Sequence, residues 1–225
     1  MACILQSSSK NVRKIMTELE ILYQDKYFLV VNKPSGMLSI KGSRPEKGLS
    51  LIETLQQDYP SASIVHRLDM DTSGVMVVPL NKMAHRSISK QFQDRTTSKR
   101  YEAVVYGDFK QDNGEINESL IADKDNPPRQ KVDNENGKPS KTLFTVIKRE
   151  GNFTKLSLTP VTGRSHQLRV HLLSLGFPIV GDSLYSTDEV FEAADRLQLH
   201  SCMLSFKHPI TKEQMVFECK ADLII

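Results

Sequence analysis

Apolar and polar positions alternate in short blocks along most of the chain, and the blocks change period several times. Residues 20–33, EILYQDKYFLVVNK, read as two short strands around a Gln24-Asp25-Lys26 turn, with Pro34-Ser35-Gly36 stopping the second. Residues 49–58 carry a weak helical period that Pro60 ends. Residues 74–78, GVMVV, form the continuous apolar run expected of a buried strand. Ala84, Ile88 and Phe92 recur every fourth position, which predicts a helix over 81–95. A strand follows at Tyr101–Tyr106. Residues 111–141 are a polar excursion with room for a short strand or two. A hairpin, 143–148 and 155–159, turns at Gly151-Asn152. Leu168, Leu172 and Leu175 define one stripe of a helix over 165–175, with Gly176 as its stop. Residues 197–207 and 214–220 read as a closing strand pair. Hairpins mixed with isolated helices, without a βαβ rhythm, predict an α+β fold with a mixed, mostly antiparallel sheet and flanking helices.

Composition narrows the class. The chain has 225 residues, 39% of them apolar and 25% charged, as in an ordinary globule able to bury its own core. No apolar run approaches the roughly 20 residues of a membrane span, and the first residues lack the pattern of a secretory signal. Residues 1–17 are expected to be a flexible tail, and 18–225 one catalytic domain. Three cysteines without CxxC spacing support neither a disulfide framework nor a zinc site, and they fit a reducing compartment. The net charge is only +3, but it is segregated. Residues 82, 86, 90, 95, 99 and 100 are basic against Asp94 alone, whereas 182–195 holds five acids and no Lys or Arg. A basic stripe on a nearly neutral chain hints at a polyanion, and a solvated helix face explains it equally well.

Two segments concentrate the chemistry. His66-Arg67-Leu68-Asp69-Met70-Asp71-Thr72-Ser73-Gly74 lies just before the buried strand, where a lone charge must be paired or face a cleft. Thr162 to His171 holds two arginines, two histidines and a glutamine with no acid, so Arg164 or Arg169 needs an outside partner, Asp69 or a phosphate. Taken singly, each piece is weak, and a lone aspartate near a strand is usually a cap or an ion-pair partner. Asp69 and Asp71 lack the further acids of a magnesium site, and His166 and His171 are five apart where a helical zinc pair uses four. GxSxG, P-loop and GxGxxG motifs are absent.

Together the segments resemble the RluA family of pseudouridine synthases. His66-Arg67-Leu68-Asp69 with Thr72-Ser73-Gly74 matches its catalytic motif, and Lys33-Pro34-x-Gly36 its first motif. Lys99-Arg100-Tyr101 is similar to its Lys-x-Tyr motif. Gly163 to His171, followed by Leu175-Gly176-x-Pro178-Ile179-x-Gly181-Asp182, is similar to its Gly-Arg-x-His-Gln segment, and Arg196-Leu197-x-Leu199-His200 to its closing motif. The matches keep family order across residues 21–208. About 20 residues precede the first motif, too few for the S4-type RNA-binding domain that several relatives carry. Ser165, Leu168, residues 128–132 and Gly137-Lys138-Pro139 resemble the branch with two RNA targets.

The resemblance implies the pseudouridine synthase fold with a central catalytic cleft. It also implies isomerisation of uridine in structured RNA, a 23S rRNA loop and the tRNA anticodon stem-loop. It implies a cytoplasmic monomer that needs no cofactor or metal and engages neither DNA nor membrane. Asp69, Tyr101 and Arg164 take the catalytic positions, with Asp69 meeting the sugar carbon and Arg164 as its cationic partner. Arg67 and His66 take RNA-binding positions. Lys33, Arg169, Lys99 and Arg100, with Lys90 and Arg95 of the stripe, are candidate phosphate contacts. Gln167, His171 and His200 read as supporting residues. A non-catalytic RNA-binding or ribosome-assembly factor on the same fold is the competing reading. A glycoside hydrolase is another, and it normally needs two carboxylates.

Overall fold

The computed structural model describes residues 19–42 and 48–225, so the tail expected over 1–17 lies outside the described residues. These residues fall into two compact units, one of residues 19–98 with Met203–Cys219 and one of Lys99–Cys202 with Lys220–Ile225.

The first unit opens with strands β1 (Glu20–Gln24) and β2 (Phe28–Lys33), paired antiparallel. Their turn is fixed by Asp25, whose Oδ1 accepts from the backbone N–H groups of Tyr27 at 2.7 Å and Phe28 at 2.8 Å. Helix α1 (Leu51–Leu55) starts at a capping box, in which Ser50 and Glu53 satisfy each other's backbone N–H groups. Strand β3 (Ser73–Pro79) pairs antiparallel with β2 and is buried at every residue, which explains its unbroken apolar run. Helix α2 (Lys82–Gln93) is capped by Asn81, whose side chain accepts from Ala84 N–H at 2.9 Å. Phe28, Val30, Val75, Val77 and Ile88 make the core, joined by Leu204 and Phe206 from the later chain.

The second unit contains β4 (Ser98–Tyr106), β5 (Asn113–Asn117), β6 (Leu120–Ala122), β7 (Gln130–Val132), β8 (Lys141–Glu150) and β9 (Phe153–Pro160). Helices α3 (Gln167–Ser174) and α4 (Asp188–Glu192) follow. The sheet runs β4-β9-β8-β5, with antiparallel β4–β9, β8–β9 and β5–β8 pairs, and β6–β7 is a separate two-stranded ribbon. Ala103, Val105, Phe144, Leu156, Leu158, Leu168 and Leu172 close its core. Strand β10 (Leu199–Lys207) supplies its first residues, up to Cys202, to this unit and its last to the other, where it pairs antiparallel with β11 (Gln214–Glu218). The α+β expectation holds.

Local differences from the sequence reading have physical causes. The polar excursion holds three strands rather than one or two, because β5 buries only Ile116 and leaves no apolar periodicity. Helix α3 begins at Gln167 because His166 adopts a left-handed backbone, φ 53°, that no helix can include. Leu168 and Leu172 are buried, but Leu175 is exposed and does not extend the apolar stripe.

Candidate active site

In the first unit the chemistry sits on the loop between α1 and β3. The segment that ends β2 holds this loop in place. Lys33 closes the strand with its side chain fully buried, and its Nζ donates to the carbonyls of Pro34 at 2.8 Å, Met37 at 2.7 Å and Met70 at 2.9 Å. Burial pushes its pKa down to about 7, against the opposing charges of Asp71 and Asp69. Gly36, at φ +80°, lets the chain turn back tightly enough for Ser35 Oγ to donate to Asp71 O at 2.7 Å. Ser39 Oγ donates to Leu68 O at 2.7 Å and accepts from Leu68 N–H at 3.2 Å. Thr72 N–H donates to Asp69 O at 3.2 Å, closing a turn around Asp69. His66 Nε2 accepts from Val77 N–H of β3 at 3.0 Å, and its ring stacks on Phe92 of α2 at 4.5 Å between centroids.

The backbone on both sides of Asp69 is therefore pinned by side chains, and the half-buried Asp69 side chain projects from a preset turn. A carboxylate held this way needs little reorganisation before it acts, which is how a rigid site contributes to catalysis. Arg67 is exposed, with no hydrogen-bond or ion-pair partner among the described residues. Its planar guanidinium is free to stack on bases or meet phosphate.

In the second unit, Tyr101 lies on β4 opposite Leu158 and packs against the core while half-exposed. Lys99 is half-buried on the same strand, and burial lowers its pKa; a Cβ added at Gly163 would lie 3.6 Å from its Nζ. Arg100 is half-buried, and its carbonyl accepts from Cys202 Sγ at 3.3 Å. The turn before α3 is organised by Gln167. Its Oε1 accepts from Thr162 Oγ1 at 2.7 Å and Arg164 N–H at 3.0 Å, and its Nε2 donates to Lys141 O and Thr142 Oγ1, both at 3.0 Å. Arg164 is exposed, and among the described residues its guanidinium reaches only Pro139 O, at 3.5 Å. His171 is buried between Thr142 Oγ1 at 2.9 Å and Glu118 O at 3.2 Å, and burial lowers its pKa.

Two expected phosphate contacts are corrected by burial. Lys33 has no exposed surface and spends its donors on three carbonyls. Arg169 is 2% exposed, and Asp182 takes its Nε at 2.7 Å and Nη2 at 2.6 Å. A side chain in either position is committed to the interior, and that of Arg169 to a buried ion pair. Lys90 is engaged by Asp94 at 2.8 Å on the surface. The supporting residues Ser35, Ser39 and Tyr185 escaped sequence reasoning, and Phe92 entered it only as part of the apolar stripe of α2. Their roles rest on contacts distant in sequence, which no local pattern reveals.

Residues 27–174 match the family described as RNA pseudouridylate synthase. A dual-specificity RNA pseudouridine synthase RluA of Yersinia pestis is 49% identical over 203 residues, covering 90% of this chain and 98% of the relative. The protein of the same name from Escherichia coli K12 is 47% identical over 205 residues, covering 91% and 94%. Among solved structures, human RNA pseudouridylate synthase domain containing 1 superposes with a TM-score of 0.77 at 30% identity, covering 90% of this chain and 83% of that one. Human RNA pseudouridylate synthase domain containing 4, at 22% identity and a TM-score of 0.75, shares the fold. The pinned aspartate loop thus sits in a chain that belongs to the RNA pseudouridylate synthase family, enzymes that isomerise uridine to pseudouridine in RNA.

Proposed function

We propose that the enzyme acts on two RNAs, a 23S rRNA loop and the tRNA anticodon stem-loop, as a cytoplasmic monomer. One observation carries the dual specificity: relatives named dual-specificity synthases match nine-tenths of the chain at 47–49% identity. Among the described residues no helix is long and apolar enough to cross a bilayer.

Isomerisation breaks the N1–C1′ bond, turns the base and joins C5 to C1′, with no change in atoms or oxidation state. Asp69 is the carboxylate assigned to C1′, as nucleophile, as electrostatic stabiliser of positive charge or as base toward the 2′ position. Tyr101 is assigned to the face of the target base, where its ring stacks and its hydroxyl is placed for proton transfer. Arg164 is the guanidinium assigned to balance the Asp69 charge. The target uridine must leave its stack, at a cost of a few kcal/mol. Arg67 is assigned to the vacated space, and the absence of a competing partner for it among the described residues supports that role. His66 is assigned to the RNA backbone, with its ring anchored by the Val77 N–H and by Phe92. Lys99, Arg100 and Arg95 are assigned to phosphates.

Carbodiimide mapping of pseudouridine in total RNA, with and without the gene, tests the substrate assignment. The expected result is loss of one 23S rRNA site and of the anticodon-loop site together. Loss of only one site, or of sites in neither RNA, overturns the dual assignment.

A further inference from the structure

The Tyr185 side chain lies at a junction in the second unit that the reaction described above does not use. Its hydroxyl accepts from the backbone N–H of Gln130, the first residue of β7, at 2.7 Å. The same oxygen is 2.7 Å from Nδ1 of His166. The two rings meet edge to face, 5.6 Å between centroids. From below, Tyr185 is held by the buried pair: Asp182 Oδ1 accepts from the backbone N–H groups of Leu184 at 2.9 Å and Tyr185 at 3.1 Å, and the Arg169 guanidinium lies 5.0 Å from the Tyr185 ring centroid.

One oxygen thereby joins two segments far apart in sequence. On one side is the β6–β7 ribbon, whose residue before Gln130 is Arg129, exposed and without an ion-pair partner among the described residues. Neighbouring charges on the ribbon are Lys124, Lys131, Asp123 and Asp125, with Lys131 Nζ 3.8 Å from Asp123. On the other side is the Arg164-Ser165-His166 turn. There His166 holds a left-handed backbone that a residue with a side chain adopts only under constraint. The Gln130 N–H is given to Tyr185, so this hydroxyl is one of the points at which the ribbon is attached.

We propose that Tyr185 is a positioning residue for the RNA substrate: its hydroxyl ties the Arg129 end of the ribbon to His166, so that Arg129 is held in place to engage the RNA backbone. The inference rests on the RNA-isomerising activity, and it assigns Tyr185 to substrate binding rather than to bond making.

Steady-state kinetics on a stem-loop transcript that wild type turns over test it, together with amide hydrogen exchange of the free enzyme. Tyr185→Phe removes one oxygen and keeps the ring. It is expected to raise KM about 3- to 10-fold, the loss of one net hydrogen bond, with kcat within about twofold of wild type. Exchange at Gln130 should quicken without RNA present, which reads the tether independently of turnover. Gln130→Pro deletes the same bond from the other end, because proline has no N–H. It is expected to reproduce the rise, and the double variant to add nothing further. An unchanged KM in Tyr185→Phe overturns the proposal, as does a loss confined to kcat. Additive losses in the double variant would also overturn it.

Discussion

At the scale of the residue, the two cations buried beside the motifs do opposite jobs from those their type suggests. Lys33 points inward and bridges three carbonyls, one of them Met70 O beside Asp69. Its pKa has a consequence for stability. The unfolded chain keeps the lysine protonated up to its ordinary value of 10.5, whereas the folded one releases the proton near 7. Between those limits the unfolded state binds more protons, so the Lys33 contribution to stability grows as pH rises from 7 toward 10 and is least at and below 7. Lys33→Met removes that dependence while leaving three carbonyls without a donor. Urea midpoints at pH 7 and pH 9.5 should therefore favour wild type increasingly at the higher pH, with a flatter profile for the variant. Parallel profiles would show that the Lys33 amine does not titrate in this range.

Residue chemistry was also the most legible part of the sequence. Asp69, Arg67 and Tyr101 stand out there because their motifs keep fixed order and spacing. What sequence alone left open is which cations are buried. Nothing in Gly163–His171 distinguishes Arg164, at the surface, from Arg169, in the interior. The difference arises from Asp182, which folds back from 13 residues away.

At the scale of the element, helix α3 and the turn before it separate these two arginines. Gln167 holds the turn and leaves the Arg164 guanidinium outside, whereas Asp182 holds Arg169 in the wall of the helix. Paired substitutions read this division. Arg164→Ala is expected to keep wild-type stability and lose most single-turnover activity. Asp182→Ala strands a buried guanidinium and is expected to cost about 3–5 kcal/mol in urea denaturation. Near-normal turnover in Arg164→Ala would refute the charge-balancing role assigned to Arg164. Elements with strong periodicity, such as β2, β3, α2 and the β8–β9 hairpin, lie where the hydrophobic pattern puts them. The short strands β5, β6 and β7 do not announce themselves. β5 and β6 bury one side chain each and β7 buries none, and all three owe their form to backbone pairing with neighbours.

For the molecule as a whole, the family assignment, the α+β fold and the loop that carries Asp69 agree with one another. The loop is built by contacts among residues 33–39, 66–72, Val77 and Phe92, and all of these lie in one compact unit. The central claim is that this preset carboxylate carries the isomerisation. The most direct test incubates a substrate transcript with wild-type enzyme and with Asp69→Asn, a variant of equal size whose circular dichroism should match wild type. Carbodiimide mapping then reads pseudouridine, and mass spectrometry reads the RNA. Wild type should convert the uridine with no change in RNA mass and no free uracil, and Asp69→Asn should form no product above background. Product formation by Asp69→Asn at the wild-type rate, or release of uracil by the wild type, would contradict the account.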